Sequence, residues 1–287
     1  MSASDGIVHG VTKIFGDQGP RWNLVLLSEG YRVGELTTFA TDADKFVQRL
    51  IATAPFDELA PAINVFRIDV SSTDCGADDP VVQDGGTGAT AATFFDASFG
   101  GYGIRRLLLL NTVLARNVSN GLVPDVRANV VIVNSTIYGG SGDWVAAFSR
   151  APEAELIALH ELGHTAFNLA DEYDYFSVCD ERDRREHPGP EPAAANVTRF
   201  DSGEPVKWHS LITPGTMIPT MTNPNCARCD TQPATVLDDT VGLFEGADRY
   251  HCKIYRPAFD CRMRTLEAEF CAVCKDHIRT TLRPFLP

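Results

Sequence analysis

Apolar residues alternate between strand-like and helix-like spacing over roughly the first 170 residues. Short apolar or alternating runs predict strands at 23–28, 64–70 and 128–134. Apolar positions repeating every three or four residues predict helices at 36–53 and 104–115, and a third helix that begins near Pro152. Strand–helix alternation of this kind indicates an α/β layer with a mostly parallel sheet.

The pattern changes after about Asp171. Residues 175–233 are polar, rich in Pro and Cys, and show little periodicity, and one further helix is predicted at 267–282. We expect one domain over residues 1–287, with an upper α/β lobe to about residue 170 that includes the third helix. The lower lobe, residues 171–287, is expected to be irregular and rich in cysteine.

The third predicted helix carries the clearest chemistry. His160 and His164 are four residues apart, so both imidazoles project from one side of the helix and can reach a single zinc ion at about 2.0–2.1 Å. Glu161 is offset by about 100° around the axis, which puts its carboxylate beside the ion, where it can act as a general base. The alternative interpretation is a pair of exposed histidines on an ordinary helix.

A catalytic zinc site needs a third protein ligand and an open fourth position. On a straight helix Asp171 would lie about 10.5 Å along the axis from His164, too far to share its ion. The chain must therefore turn, and Asn168 is the residue that best tolerates the left-handed conformation of a helix end. The spacing favours Asp171 as the third ligand. Glu172 is the rival, and either carboxylate could instead belong to a solvated acidic loop.

Six of the eight cysteines lie in the last quarter of the chain. Two C-x-x-C pairs are a candidate for a second, structural zinc site made by Cys226, Cys229, Cys271 and Cys274. The interval between the pairs is longer than the usual zinc-ribbon loop. Disulfides in an exported protein are therefore the favoured interpretation.

The net charge of −13 bears on partners and location. An excess of negative charge repels phosphate backbones and anionic lipids, so neither nucleic acid nor a membrane is expected as a partner. Residues 1–10 carry neither a basic start nor an apolar stretch, so no signal peptide is present in this chain. We expect a secreted monomer whose signal peptide is absent from this sequence, with a cytoplasmic location as the alternative.

The segment HELGHTAFNLADEY at 160–173 resembles the signature of the IgA-peptidase family of zinc metallopeptidases, which are relatives of the metzincin clan. The resemblance extends to LVLLSEGY at 24–31, NVFRIDVS at 64–71, YGGSG at 138–142, and CRMR and FCAVC in the tail. It implies a metzincin-like two-lobed catalytic domain with a mixed twisted sheet, helices above it and a Cys-rich lower lobe. One departure is Asn168, because the family usually has glycine there.

The resemblance also implies roles for residues. Zinc would be held by His160, His164 and Asp171, with Glu161 as the general base. A methionine-containing turn would lie beneath the metal, and Met263 is the choice for it, with Met217 as a competitor.

The resulting hypothesis is a zinc-dependent endopeptidase acting on a peptide or protein. Its substrate would lie extended against an edge strand near 138–142. The alternative is a catalytically inactive metal-binding or adhesion module with the same fold. Glu161 argues against that alternative, because a purely structural metal site has no use for a base.

Overall fold

A computed structural model describes residues 5–17, 19–142, 144–203 and 205–287. Residues 1–4, which belong to the 1–10 stretch considered for a signal peptide, lie outside the described residues. The chain divides into two compact units, which are Met1–Ala166 with Leu282–Pro287, and Phe167–Thr281. In the described parts of the chain, no helix is long and apolar enough to span a membrane.

The first unit is built on a six-stranded mixed sheet with helices. Its strands are β1 (Gly6–Phe15), β2 (Trp22–Glu29), β3 (Ile63–Ser72), β4 (Val126–Val133), β5 (Gly140–Gly142) and β6 (Ala146–Ser149). They lie in the order β1-β3-β2-β4-β6-β5. The four central strands are parallel, whereas β1 and β5 run antiparallel at the two edges. The prediction of a mostly parallel α/β sheet is thus confirmed, and the antiparallel edges make the sheet mixed.

The central strands and the first helix form the core of this unit. All eight residues of β2 are buried, as expected for a parallel strand covered on both faces. Helix α1 (Leu36–Ile51) follows, and its predicted apolar face is buried at Phe39, Phe46 and Leu50. A short helix, α2 (Phe56–Leu59), leads into β3.

The helix predicted at 104–115 is wrong. The chain instead forms α3 (Thr112–Leu122), which begins after Asn111, whose side chain accepts a hydrogen bond from the Leu114 N–H at 3.0 Å. The apolar run before it bonds to strand β5: Gly140 N–H donates to the Arg106 carbonyl at 3.1 Å, and Leu108 N–H donates to the Gly140 carbonyl at 3.3 Å. These bonds hold that run in an extended, non-helical path.

The second unit contains little regular structure. Its described strands are the antiparallel pair β7 (Phe244–Ala247) and β8 (Tyr250–Arg256). Besides a 3-10 turn at His209–Leu211, it contains helix α5 (Ala272–Leu282), which starts five residues later than predicted. Two disulfides, Cys179–Cys229 and Cys226–Cys252, cross-link it. Two small apolar clusters, one of them around Trp208, lie among its described residues.

Two charged side chains, one buried and one exposed, organise loops of the second unit. The carboxylate of Asp183 accepts backbone N–H bonds from residues 176–179 and from Arg184, at 2.8–3.2 Å. The Lys207 ammonium donates to the carbonyls of Ala194 and Val197 at 2.7 Å and to that of Pro192, and it pairs with Glu191 at 3.0 Å. In each loop, several backbone polar groups are therefore satisfied by one side chain.

Candidate metal centre and catalytic base

Helix α4 (Ala154–Phe167) carries the predicted H-E-x-x-H segment. It begins close to the expected start at Pro152, and Leu156, Leu159 and Leu162 are buried along it. The helix ends at Phe167, and Asn168 follows with a φ of 49°. The left-handed turn predicted at Asn168 is therefore confirmed. This turn lets the next residues leave the helix axis.

The two histidines of α4 face one point. Their Nε2 atoms lie 3.1 Å apart and their rings are nearly perpendicular, with an interplanar angle of 87°. An ion at about 2.05 Å from both nitrogens would make an N–metal–N angle of about 98°, close to the tetrahedral value of about 109°. The spacing of these nitrogens therefore fits a tetrahedral metal ion.

Asp171 is buried, and one of its carboxylate oxygens lies within 4.8 Å of a ring nitrogen on each histidine. Its backbone carbonyl accepts the Asp248 N–H at 2.8 Å, and Arg249 Nε lies 3.7 Å from Asp171 Oδ2. Two imidazoles and one carboxylate are a donor set of the kind found in catalytic zinc sites, which leave the fourth position open. The donor chemistry thus fits zinc.

Glu172, the rival for third ligand, belongs to a different group. Its side chain is fully buried and lies with Cys261, Cys271 and Cys274 instead of with the histidines. Asn196 Nδ2 donates to Glu172 Oε1 at 2.9 Å. Burial raises the pKa of Glu172 well above its ordinary value. Two consecutive carboxylates therefore take part in two separate groups.

The glycine-rich edge strand makes room for the predicted base. A Cβ added at Gly142 of β5 would lie 2.4 Å from Glu161 Oε2, and one added at Gly140 would lie 2.5 Å from Ile157 Cγ2. Both distances are far inside van der Waals contact, so only glycine permits this close approach of β5 to α4. The sequence signal for this approach is the glycine-rich YGGSG at 138–142, near which the edge strand is predicted.

The less favoured alternative, a second zinc site on the two C-x-x-C pairs, is wrong. Cys226 is bonded to Cys252, and Cys229 is bonded to Cys179. A sulfur in a disulfide has no thiolate to offer a metal. Cys271 and Cys274 remain as free thiols. The favoured interpretation of disulfides therefore holds for the first pair only.

The two candidate methionines differ in burial. Met263 is fully buried, and its carbonyl accepts the N–H of Glu172 at 2.7 Å. Met217 has 78% of its surface exposed. The backbone of Met263 is thus bonded to the residue that follows Asp171. Its role beneath the metal stays a prediction.

Comparison with known proteins then gives the family. No curated protein matches the chain. The family model described as IgA Peptidase M64 matches residues 12–234 and 230–282. This coverage takes in part of β1, all of β2 to β6, helix α4 and the whole of the second unit. The protein belongs to the IgA peptidase M64 family.

Proposed function

We propose that this protein is a zinc-dependent endopeptidase, with His160, His164 and Asp171 as metal ligands and Glu161 as general base. The observation that carries the proposal is the convergence of two imidazole nitrogens and one carboxylate oxygen within 4.8 Å, on a segment that also bears Glu161. The finer fold assignment, a two-lobed metzincin-like domain with Met263 beneath the metal, is part of the same proposal and rests on the sequence resemblance.

Zinc, when bound by these residues, acts as a Lewis acid that lowers the pKa of the attacking water toward about 7. The residues of the chain do the remaining work. Glu161 accepts a proton from that water as its oxygen bonds to the scissile carbonyl carbon. The carboxylic acid so formed returns the proton to the leaving amine nitrogen when the C–N bond breaks. Glu161 is thereby regenerated as a carboxylate.

The substrate would lie extended along edge strand β5, pairing through backbone hydrogen bonds. Arg106 and Leu108 already bond to Gly140, which occupies that end of the strand. We therefore assign substrate pairing to the end of β5 at Ser141 and Gly142, which is also the end next to Glu161. Protein or peptide is the expected partner, and a monomer is expected to suffice.

The decisive test compares the native protein with Glu161→Gln on a pool of peptides, with zinc supplied. Loss of the base should reduce cleavage by about 10²–10⁴-fold while zinc content stays the same. Glu155→Gln is the matched control, because Glu155 lies on the same helix and pairs with Lys45 instead. Equal cleavage by native protein and Glu161→Gln would contradict the proposal.

The inactive metal-binding module remains the second candidate, because its only requirement is the ligand group. It predicts zinc binding without cleavage of any peptide in the pool.

A second variant separates the two candidates further. Gly142→Ala should lower the turnover number with zinc content unchanged, since the added methyl meets the Glu161 carboxylate. Gly121→Ala in α3 is the matched control, because an added Cβ there meets no atom within 4 Å, and it should leave turnover nearly unaffected.

A further inference from the structure

A second cluster of potential metal ligands lies within the second unit. Glu172, Cys261, Cys271 and Cys274 each offer one ligand atom, and these four atoms all lie within 4.8 Å of one another. Glu172, Cys261 and Cys274 are buried, and Cys271 is partly buried. None of the three cysteines takes part in a disulfide. We propose that these four residues form a closed structural zinc site, separate from the catalytic one.

The distances fit a tetrahedral ion. The Sγ atoms of Cys261 and Cys274 lie 3.7 Å apart. Two thiolates bound to zinc at about 2.3 Å in tetrahedral geometry are about 3.8 Å apart. Glu172 Oε1 lies 3.3 Å from Cys274 Sγ and 4.0 Å from Cys271 Sγ. These values bracket the spacing of about 3.6 Å expected between a sulfur and an oxygen ligand.

The surroundings are arranged for thiolates and a fixed carboxylate. Cys271 directly precedes α5 and Cys274 is in its first turn, so both sulfurs lie at the positive end of a helix. The Cys271 N–H donates to Cys261 Sγ at 3.2 Å. Asn196 holds Glu172 Oε1, whereas Glu172 Oε2 is buried with no hydrogen-bond partner. A cation satisfies such a carboxylate where the protein offers no further donor.

The number of cysteines also favours a metal over another disulfide. The same unit already contains two disulfides, so its cysteines can be oxidised. Three thiols cannot pair completely, and one more disulfide would leave one buried thiol beside the buried Glu172. Zinc engages all three sulfurs and the carboxylate at once. Four protein ligands leave no open position, which makes the site structural.

The primary test is zinc content and X-ray absorption at the zinc edge, with the variant His160→Ala/His164→Ala as background. This variant removes the proposed catalytic metal, so the expected result falls from two zinc ions per chain to one. The remaining ion should show sulfur neighbours at about 2.3 Å. No zinc, or zinc without sulfur neighbours, would overturn the inference.

The same measurement keeps the two proposals distinguishable. One zinc in both the native protein and the double-histidine variant, with sulfur neighbours, would support the structural site and contradict the catalytic one. Adding Cys271→Ser and Cys274→Ser to the background should remove the last zinc. Cys75→Ser is the matched control, because Cys75 is a free, exposed cysteine in the first unit.

Thiol counting gives a readout that needs no variant. Alkylation of the native protein should modify Cys75 alone, and alkylation after unfolding with a chelator should add the three cluster cysteines. Mass spectrometry without reductant would then show four modified cysteines and two intact disulfides. Two modified cysteines after unfolding would reveal a third disulfide and overturn the inference.

Discussion

The two units of this protein use different means to fix their backbones. In the first unit, sheet hydrogen bonds and a continuous apolar core hold β2, β3 and β4, and side-chain identity matters mainly through size and hydrophobicity. In the second unit, disulfides cross-link the loops. A buried carboxylate and a lysine ammonium form hydrogen bonds with loop backbone groups that have no sheet or helix partner. Segments without periodicity are thus ordered by a few specific side chains.

The largest expected effect comes from removing the cross-links of the second unit. Replacing all four cysteines of Cys179–Cys229 and Cys226–Cys252 by alanine should lower the free energy of unfolding by roughly 4–8 kcal/mol, at roughly 2–4 kcal/mol for each bond. Limited proteolysis with mass spectrometry should then find the first cuts between residues 167 and 281. First cuts within β2 or β4 would contradict the difference between the units.

The next effect probes the core of the first unit. Phe46 is fully buried on α1, with its ring centroid 5.5 Å from that of Phe148. Phe46→Ala should cost about 3–5 kcal/mol in urea unfolding, because it leaves a large cavity. Asp44→Ala, an exposed position on the same helix, should change stability little. A cost at Phe46 similar to that at Asp44 would show that packing does not dominate this unit.

A smaller effect is expected at Asp183 in the second unit. Burial works against its charge, but the backbone N–H groups around it outweigh burial and hold the pKa of Asp183 below its ordinary value. Asp183→Asn should cost about 1–3 kcal/mol, since an amide cannot accept all these bonds. The extra free energy of unfolding of the native protein over Asp183→Asn should be complete above pH of about 4. It should disappear as the pH falls through the folded-state pKa of Asp183.

Unfolding curves of native protein and variant between pH 3 and 7 check this prediction, with Asp239→Asn at an exposed position of the same unit as the control. A pH-independent difference between native protein and Asp183→Asn would contradict it.

The smallest effect should come from Glu29 in the first unit, and its pH dependence should have the opposite sign. The Glu29 carboxylate accepts the N–H groups of Phe95 and Ala97 at 2.9 and 3.0 Å, yet burial raises its pKa. Glu29→Gln should cost about 1 kcal/mol at low pH, from one lost hydrogen bond. The difference in free energy of unfolding between the native protein and Glu29→Gln should shrink as the pH rises from about 4 through the folded-state pKa of Glu29. The same unfolding series measures both carboxylates, and slopes of equal sign would contradict their assignment.

Sequence patterns predicted the segments whose local conformational preferences match the structure that they adopt. The strands around β2, β3 and β4, helix α1 and the turn at Asn168 were all within reach of periodicity and conformational preference. Strand β6, with only four residues, was missed because its short run of small apolar residues has no distinct period. The start of α3 was misplaced because an apolar run hid the capping signal of Asn111.

The cysteines show why the remaining tertiary contacts could not be predicted from the sequence. A C-x-x-C pair indicates two nearby sulfurs but says nothing about which distant cysteine each one meets. Cys226 forms a disulfide with Cys252, and Cys229 forms one with Cys179. In contrast, Cys271 and Cys274 lie in a cluster with Cys261 and Glu172. These pairings depend on the tertiary path of loops that lack periodicity. Glu172 was therefore considered only as a rival to its neighbour Asp171.

The ammonium of Lys207 offers a way to watch the second unit fold. The chain has five lysines, and in Lys207 all of the amine protons are directed toward carbonyl and carboxylate oxygens. An amine engaged in this way is a poor nucleophile toward acylating reagents while its loop is intact. Pulse labelling of lysines would therefore report the closing of this one loop, without any dye or added tag.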